Sequence, residues 1–85
     1  MKRKTKSELF EFRVALCRFC KRARTASEVS DHFNISRGSA VLYLEWMFWN
    51  GSILTISEKN GKNAYERTFS MRHTRAILRA KGKNK

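Results

Sequence analysis

Residues 25–53, TASEVSDHFNISRGSAVLYLEWMFWNGSI, decide how the rest of the chain is arranged. Thr25 and Glu28 have the spacing of a capping box: the Thr hydroxyl accepts from the third helical N–H, and the Glu carboxylate accepts from the N–H of the cap itself. A helix is therefore expected from Ala26, with Ala26, Val29 and Phe33 on one face. Asn34 tolerates the left-handed backbone by which a chain leaves a helix. Ile35 is an apolar plug in the turn, and Ser36 caps a second helix that opens at Arg37. In that second helix Ala40, Tyr43, Leu44 and Met47 share an inward stripe, and Asn50-Gly51 forms a helix stop.

Taken together, Thr25, Glu28, Val29, Phe33, Ile35, Ser36, Ala40, Leu44, Met47, Gly51 and Ile53 follow the pattern T-x-x-E-[IV], [LF]-x-[IV]-S, [AV], L-x-x-[LM]-x-x-x-G-x-[IL]. On these residues the stretch resembles the winged helix-turn-helix proteins of the MarR-like and ArsR-like kind, and the likeness extends over residues 7–69. It implies a mainly α domain with a small β-hairpin (α+β), in the order helix, short strand, helix, helix, strand, wing, strand, helix. It also implies binding to double-stranded DNA, with the second helix of the motif in the major groove. Arg37, Gly38, Val41 and Leu42 would then meet base edges, Arg37 donating to a guanine and the two aliphatics touching thymine methyls. Ser36 and Ser39, at the start of that helix, would contact phosphates.

Composition points the same way. The net charge of +12 on 85 residues exceeds the magnitude of roughly 2 to 8 that keeps a small domain soluble. Such an excess fits a polyanionic partner. A chain of this length forms one domain that buries about 60% of its unfolded surface, so tight packing or a partner is needed, and the 41% apolar content is enough for a core. The charge is unevenly spread. Between Thr25 and Glu58 a single cation, Arg37, stands against Glu28, Asp31, Glu45 and Glu58, a net of −3, so the remainder carries +15.

That remainder flanks the motif on both sides. Residues 1–6 read as a basic flexible arm. Thr5 and Glu8 then repeat the capping-box spacing, and Leu9, Phe12, Leu16, Phe19 and Cys20 line one face of a first helix running to about Arg22. Phe10, Val14 and Cys17 widen this arc, and Arg13 lies within it, an arrangement that a homodimer would cover. Lys21, Arg22 and Arg24 follow the helix end, where they either complement the macrodipole or contact phosphate. After Gly51 the pattern alternates, and Asn60-Gly61 between two β-rich runs is a hairpin signal. Lys59 and Lys62 flank this turn as phosphate contacts at the wing tip. Residues 70–80 are expected as a C-terminal helix capped by Ser70, with Met71, Thr74, Ile77 and Leu78 inward. Arg72, Arg75 and Arg79 form a basic ridge for phosphates, and 81–85 read as a disordered basic tail.

Other chemistry is poorly supplied. Cys17-x-x-Cys20 with His32 and His73 falls inside an amphipathic helix, so buried reduced thiols are expected rather than a metal site. There is no Gly-rich phosphate cradle and no carboxylate cluster, so neither an enzyme nor a cofactor is expected. No stretch is apolar enough to span a membrane. The expected location is cytoplasmic, or nucleoid-associated in a bacterium, and the expected role is transcription regulation or DNA organisation. Two competing readings stay open. Leu42, Trp46 and Trp49 would serve a protein partner if they do not pack under neighbouring helices, and phosphate grip alone does not separate DNA from RNA.

Overall fold

Cap residues set the helix boundaries in the computed structural model, which describes residues 4–83. α1 (Lys6–Phe19) opens on a complete capping box: the Glu8 N–H donates to Thr5 Oγ1 at 3.1 Å, and the Thr5 N–H donates to Glu8 Oε1 at 2.9 Å. After β1 (Arg24–Thr25), α2 (Ala26–Phe33) opens on a second complete box, built by Thr25 and Glu28. α3 (Arg37–Trp49) follows, capped by Ser36. β2 (Leu54–Lys59) and β3 (Lys62–Arg67) form a hairpin, and α4 (Met71–Lys83) is the last element of the described residues. The element order is the expected one, and the described residues form a mainly helical α+β arrangement of four helices and one antiparallel sheet.

The sheet runs β1-β3-β2, so the two residues of β1 make β3 the central strand. In the hairpin Lys59 pairs with Lys62 across Asn60 and Gly61. Those two residues take φ of 54° and 77°, the positive values that a two-residue type I′ turn requires at both central positions. β2 is an edge strand, exposed over most of its length after Leu54.

The core lies where α1, α2, α3 and the sheet meet. Leu16, Cys17, Cys20, Val29, Ala40, Leu44, Met47, Ile53, Leu54 and Leu78 are completely or almost completely shielded. The inward stripe expected on α3 is the observed one, with Ala40, Leu44 and Met47 buried and Tyr43 half-buried. Both cysteines are free and buried; the Cys17 Sγ lies 3.3 Å from Met47 Sδ. Burial pushes both thiols up to about 12, so they remain protonated and unreactive. The wide apolar arc of α1 is covered from within the chain: α4 packs along it, Phe12 meets Phe33 and Tyr43, and Phe19 stacks on His32.

Two terminal boundaries differ from expectation. α1 includes Lys6, because Thr5 is the cap and the next residue is already helical; Lys4 holds its ammonium 5.0 Å from the Phe12 ring centroid. Residues 1–3 of the expected arm lie outside the described residues. α4 runs through Lys83 rather than stopping at 80. Ile77 and Lys81, one turn apart, cover the loop at Gly51, and a glycine at position 82 costs a helix only about 1 kcal/mol. Residues 84 and 85 of the expected tail lie outside the described residues. At Gly51 itself φ is +75°, and a Cβ would come within 2.9 Å of Ile77 Cγ2, so the helix stop read from the sequence is also a packing requirement.

Candidate nucleic-acid interface

The turn between α2 and α3 is fixed by its own backbone. Asn34 adopts the left-handed conformation (φ 56°, ψ 49°). Beyond it the Ile35 N–H donates to Ser30 O at 3.1 Å, while the Ser30 hydroxyl donates to Ile35 O at 2.6 Å. These reciprocal bonds hold the chain as it swings into α3. There Ser36 Oγ accepts from the Ser39 N–H at 3.1 Å and its hydroxyl pairs with that of Ser39 at 2.9 Å. Ser36 and Ser39 thus satisfy each other and the helix start.

Arg37 follows immediately, exposed, in the first turn of α3. A cleft of about 190 Å³ opens between α3, the start of α2 and the hairpin. Arg37, Val41 and Glu45, at successive turns of α3, line one wall, and Lys62, Asn63 and Tyr65 of β3 line another. The sole cation of the acidic central segment and one cation of the hairpin therefore border a common space. Burial, with a smaller contribution from the Glu45 carboxylate, pushes the Tyr65 phenol up and keeps it a neutral hydrogen-bonding group. Gly38 is exposed on α3, and a Cβ there would meet no atom within 4 Å.

The other expected phosphate contacts have different surroundings. Lys59 is turned back from the hairpin tip: its Nζ donates to Ala23 O at 3.2 Å and lies 3.3 and 3.4 Å from the two carboxylate oxygens of Glu28. Arg24 packs its guanidinium 4.2 Å from the Phe19 ring centroid, donates from Nε to Phe19 O at 3.1 Å and reaches Glu28 Oε2 at 4.0 Å. Both cations thereby fasten the sheet to the start of α2. The Thr25 backbone bond and the Lys59 ammonium hold the Glu28 carboxyl below its usual range against the opposing effect of desolvation. Arg72, Arg75 and Arg79 are exposed on α4 and do not line the cleft; Arg79 reaches the Phe10 ring of α1 at 5.5 Å. Their ridge and the Arg37–Lys62 cleft are separate basic features.

Leu42 does not line that cleft. It stands 70% exposed and borders a second groove, of about 290 Å³, with Arg13, Ser39, Tyr43 and Trp46. Trp46 is half-buried beneath Arg13, whose guanidinium carbon lies 3.6 Å from the ring centroid, whereas Trp49 is 75% exposed. Packing under α1 thus applies to Trp46 and not to Trp49. Arg13, the residue that pointed to a homodimer, has an aromatic partner inside the chain. Sequence patterns did not single out Asn63, Tyr65 or Glu45 as cleft residues, because each reaches the cleft through the docking of the hairpin against α3, which no local spacing encodes.

Among the described residues no group of three or more His, Cys, Asp or Glu side chains is placed to hold a metal ion, and no helix is long and apolar enough to cross a membrane. Compared with known proteins, the chain matches no family model, no curated protein and no solved structure.

Proposed function

We propose that the chain is a winged helix-turn-helix domain that binds double-stranded DNA and acts as a small transcriptional regulator or DNA-organising protein. In this reading α3 enters the major groove by its N-terminal half, the β2–β3 hairpin is the wing, and Arg37 donates to a base edge or a phosphate beside it. The observation that carries it is the placing of Arg37 and Lys62 around one cleft, on a helix whose entry is locked by Asn34, Ile35 and Ser36. Two cations held on separate rigid elements form a template for a charged backbone, and the net charge of +12 supplies the long-range attraction.

Gly38 and Val41 fit the same use. Gly38 leaves room for close approach at the exposed first turn of α3, and Val41 offers a methyl-bearing surface one turn beyond Arg37. Leu42 is left on the far side of the helix crest, so its share in base contact is smaller than that of Arg37 and Val41. The α4 ridge of Arg72, Arg75 and Arg79 adds phosphate grip or neutralises flanking DNA. In the same reading a homodimer of the chain presents two such α3 helices to one duplex.

Binding of the purified chain to random duplex DNA, single-stranded DNA and RNA duplexes across a salt series tests it. Duplex DNA should be preferred, with log K falling linearly in log salt. Preference for RNA or for single strands would overturn it.

A further inference from the structure

We infer that the groove between α1 and α3, lined by Arg13, Ser39, Leu42, Tyr43 and Trp46, is a docking site for an acidic amphipathic segment of another protein. The first support is Arg13 itself. Its guanidinium carbon lies 3.6 Å from the Trp46 ring centroid, yet no carboxylate among the described residues pairs with it. Its Nε is buried without a hydrogen-bond acceptor. A guanidinium that lines a groove and has no carboxylate partner receives one well, since charge-assisted bonds in a partly dry site are the strong ones.

The second support is the shape of the apolar surface. Leu42, Trp46 and Trp49 recur at spacings of four and three, so they follow one side of α3. Leu42 and Trp49 are among the few large apolar side chains left exposed. A stripe with this spacing receives the apolar face of an incoming helix. Charge then selects the occupant. Among the described residues the one charged residue lining the groove is the cation Arg13, which attracts an acidic segment, while the net +12 of each chain opposes self-association. Duplex DNA, whose base faces are already stacked, cannot lay them on the Trp46 and Trp49 rings, and the Arg37–Val41–Glu45 row that borders the hairpin cleft lies on the opposite flank of α3. The groove and the cleft therefore lie on different flanks of α3, and the peptide site does not depend on what the cleft binds.

The test uses the full chain and a panel of synthetic helical peptides carrying Glu or Asp beside Leu, Phe or Trp, each with a matched peptide in which every acid is replaced by its amide. Binding is followed by amide NMR shifts and tryptophan fluorescence. At least one acidic peptide should bind saturably, with shifts centred on Leu42, Tyr43 and Trp46, and its amide match should bind about tenfold or more weakly. Arg13→Gln should lose the same factor and Arg13→Lys less, with duplex DNA affinity unchanged in both. Should Arg13→Gln fail to fold, Leu42→Ser, at an exposed position, must still weaken the peptide. No saturable binding by any acidic peptide, or equal binding by the amide set, overturns the proposal. So does a dimer in sedimentation that Leu42→Ser dissociates, which would give the groove to a second copy. Loss of duplex affinity in folded Arg13→Gln would give it to nucleic acid.

Discussion

Lys59 and Glu28, on the hairpin and on the first turn of α2, form an ion pair at 3.3 Å that ties the β-hairpin to the α2–α3 segment. The same Glu28 completes the capping box of α2, so one carboxylate orients a helix start and anchors a strand end. This distinguishes the two lysines that face each other across the turn.

Lys59→Ala and Lys62→Ala are therefore expected to have different effects. Lys59→Ala should lower stability by less than about 1 kcal/mol, since the pair is substantially solvated, and leave the salt dependence of DNA binding unchanged. Lys62→Ala should leave the urea midpoint unchanged and reduce the salt slope by about 0.9, one phosphate contact. Identical slopes for Lys62→Ala and the unmodified chain would place the hairpin away from DNA.

Glu28 also imposes a pH dependence. Its carboxyl is held below the 4.5 of an unperturbed group by the Thr25 backbone bond first and by Lys59 next. A group with a lowered folded pKa contributes stability that is fully present above the unfolded value and is lost as pH falls through the folded one. Thermal melts from pH 6 to pH 3 should thus show a steeper fall for the unmodified chain than for Glu28→Gln. Parallel curves would mean that the carboxylate gains nothing from its partners.

Gly38 separates stability from binding. It costs α3 roughly 0.5–1 kcal/mol relative to alanine in a helix, with no neighbour within 4 Å to demand it. Gly38→Ala should raise the melting temperature and weaken DNA binding by crowding the approach to α3. A stabilised variant with undiminished affinity would show that nothing comes close at that turn.

Much of this arrangement is legible in the sequence because its determinants are short-range. Thr5 with Glu8, Thr25 with Glu28, Ser36 with Ser39, Asn34 and Asn60-Gly61 each act within a few residues, and each works as its spacing indicates. The site is less legible, because its geometry depends on how distant elements dock. Lys59 reads as a free wing-tip cation, yet its partner is 31 positions away. Arg24 likewise has an ion-pair partner and an aromatic face within the chain, neither of which its place after α1 encodes. Arg13 reads as a misfit in an apolar arc until α1 crosses α3 and Trp46 comes beneath it.

The buried thiols offer a check on the core. Cys17 and Cys20 are fully shielded with pKa values pushed to about 12, so a thiol reagent at pH 8 should modify them only as fast as the chain unfolds. Cys17→Ser, which sets a hydroxyl beside Met47, should cost about 1–3 kcal/mol. Rapid labelling of the folded chain would contradict the packing of α1 on α3.

The proposed function rests most directly on Arg37, the one cation of the α2–α3 segment and the residue that shares the cleft with Lys62. The decisive measurement is the affinity of Arg37→Ala, beside the unmodified chain, for a duplex selected from a random pool and for bulk random duplex. A bidentate Arg to guanine contributes roughly 1–3 kcal/mol of discrimination. The variant should lose about tenfold or more on the selected site, lose less on random DNA, and still bind both through the remaining cations. Undiminished affinity for both duplexes would contradict DNA recognition by α3.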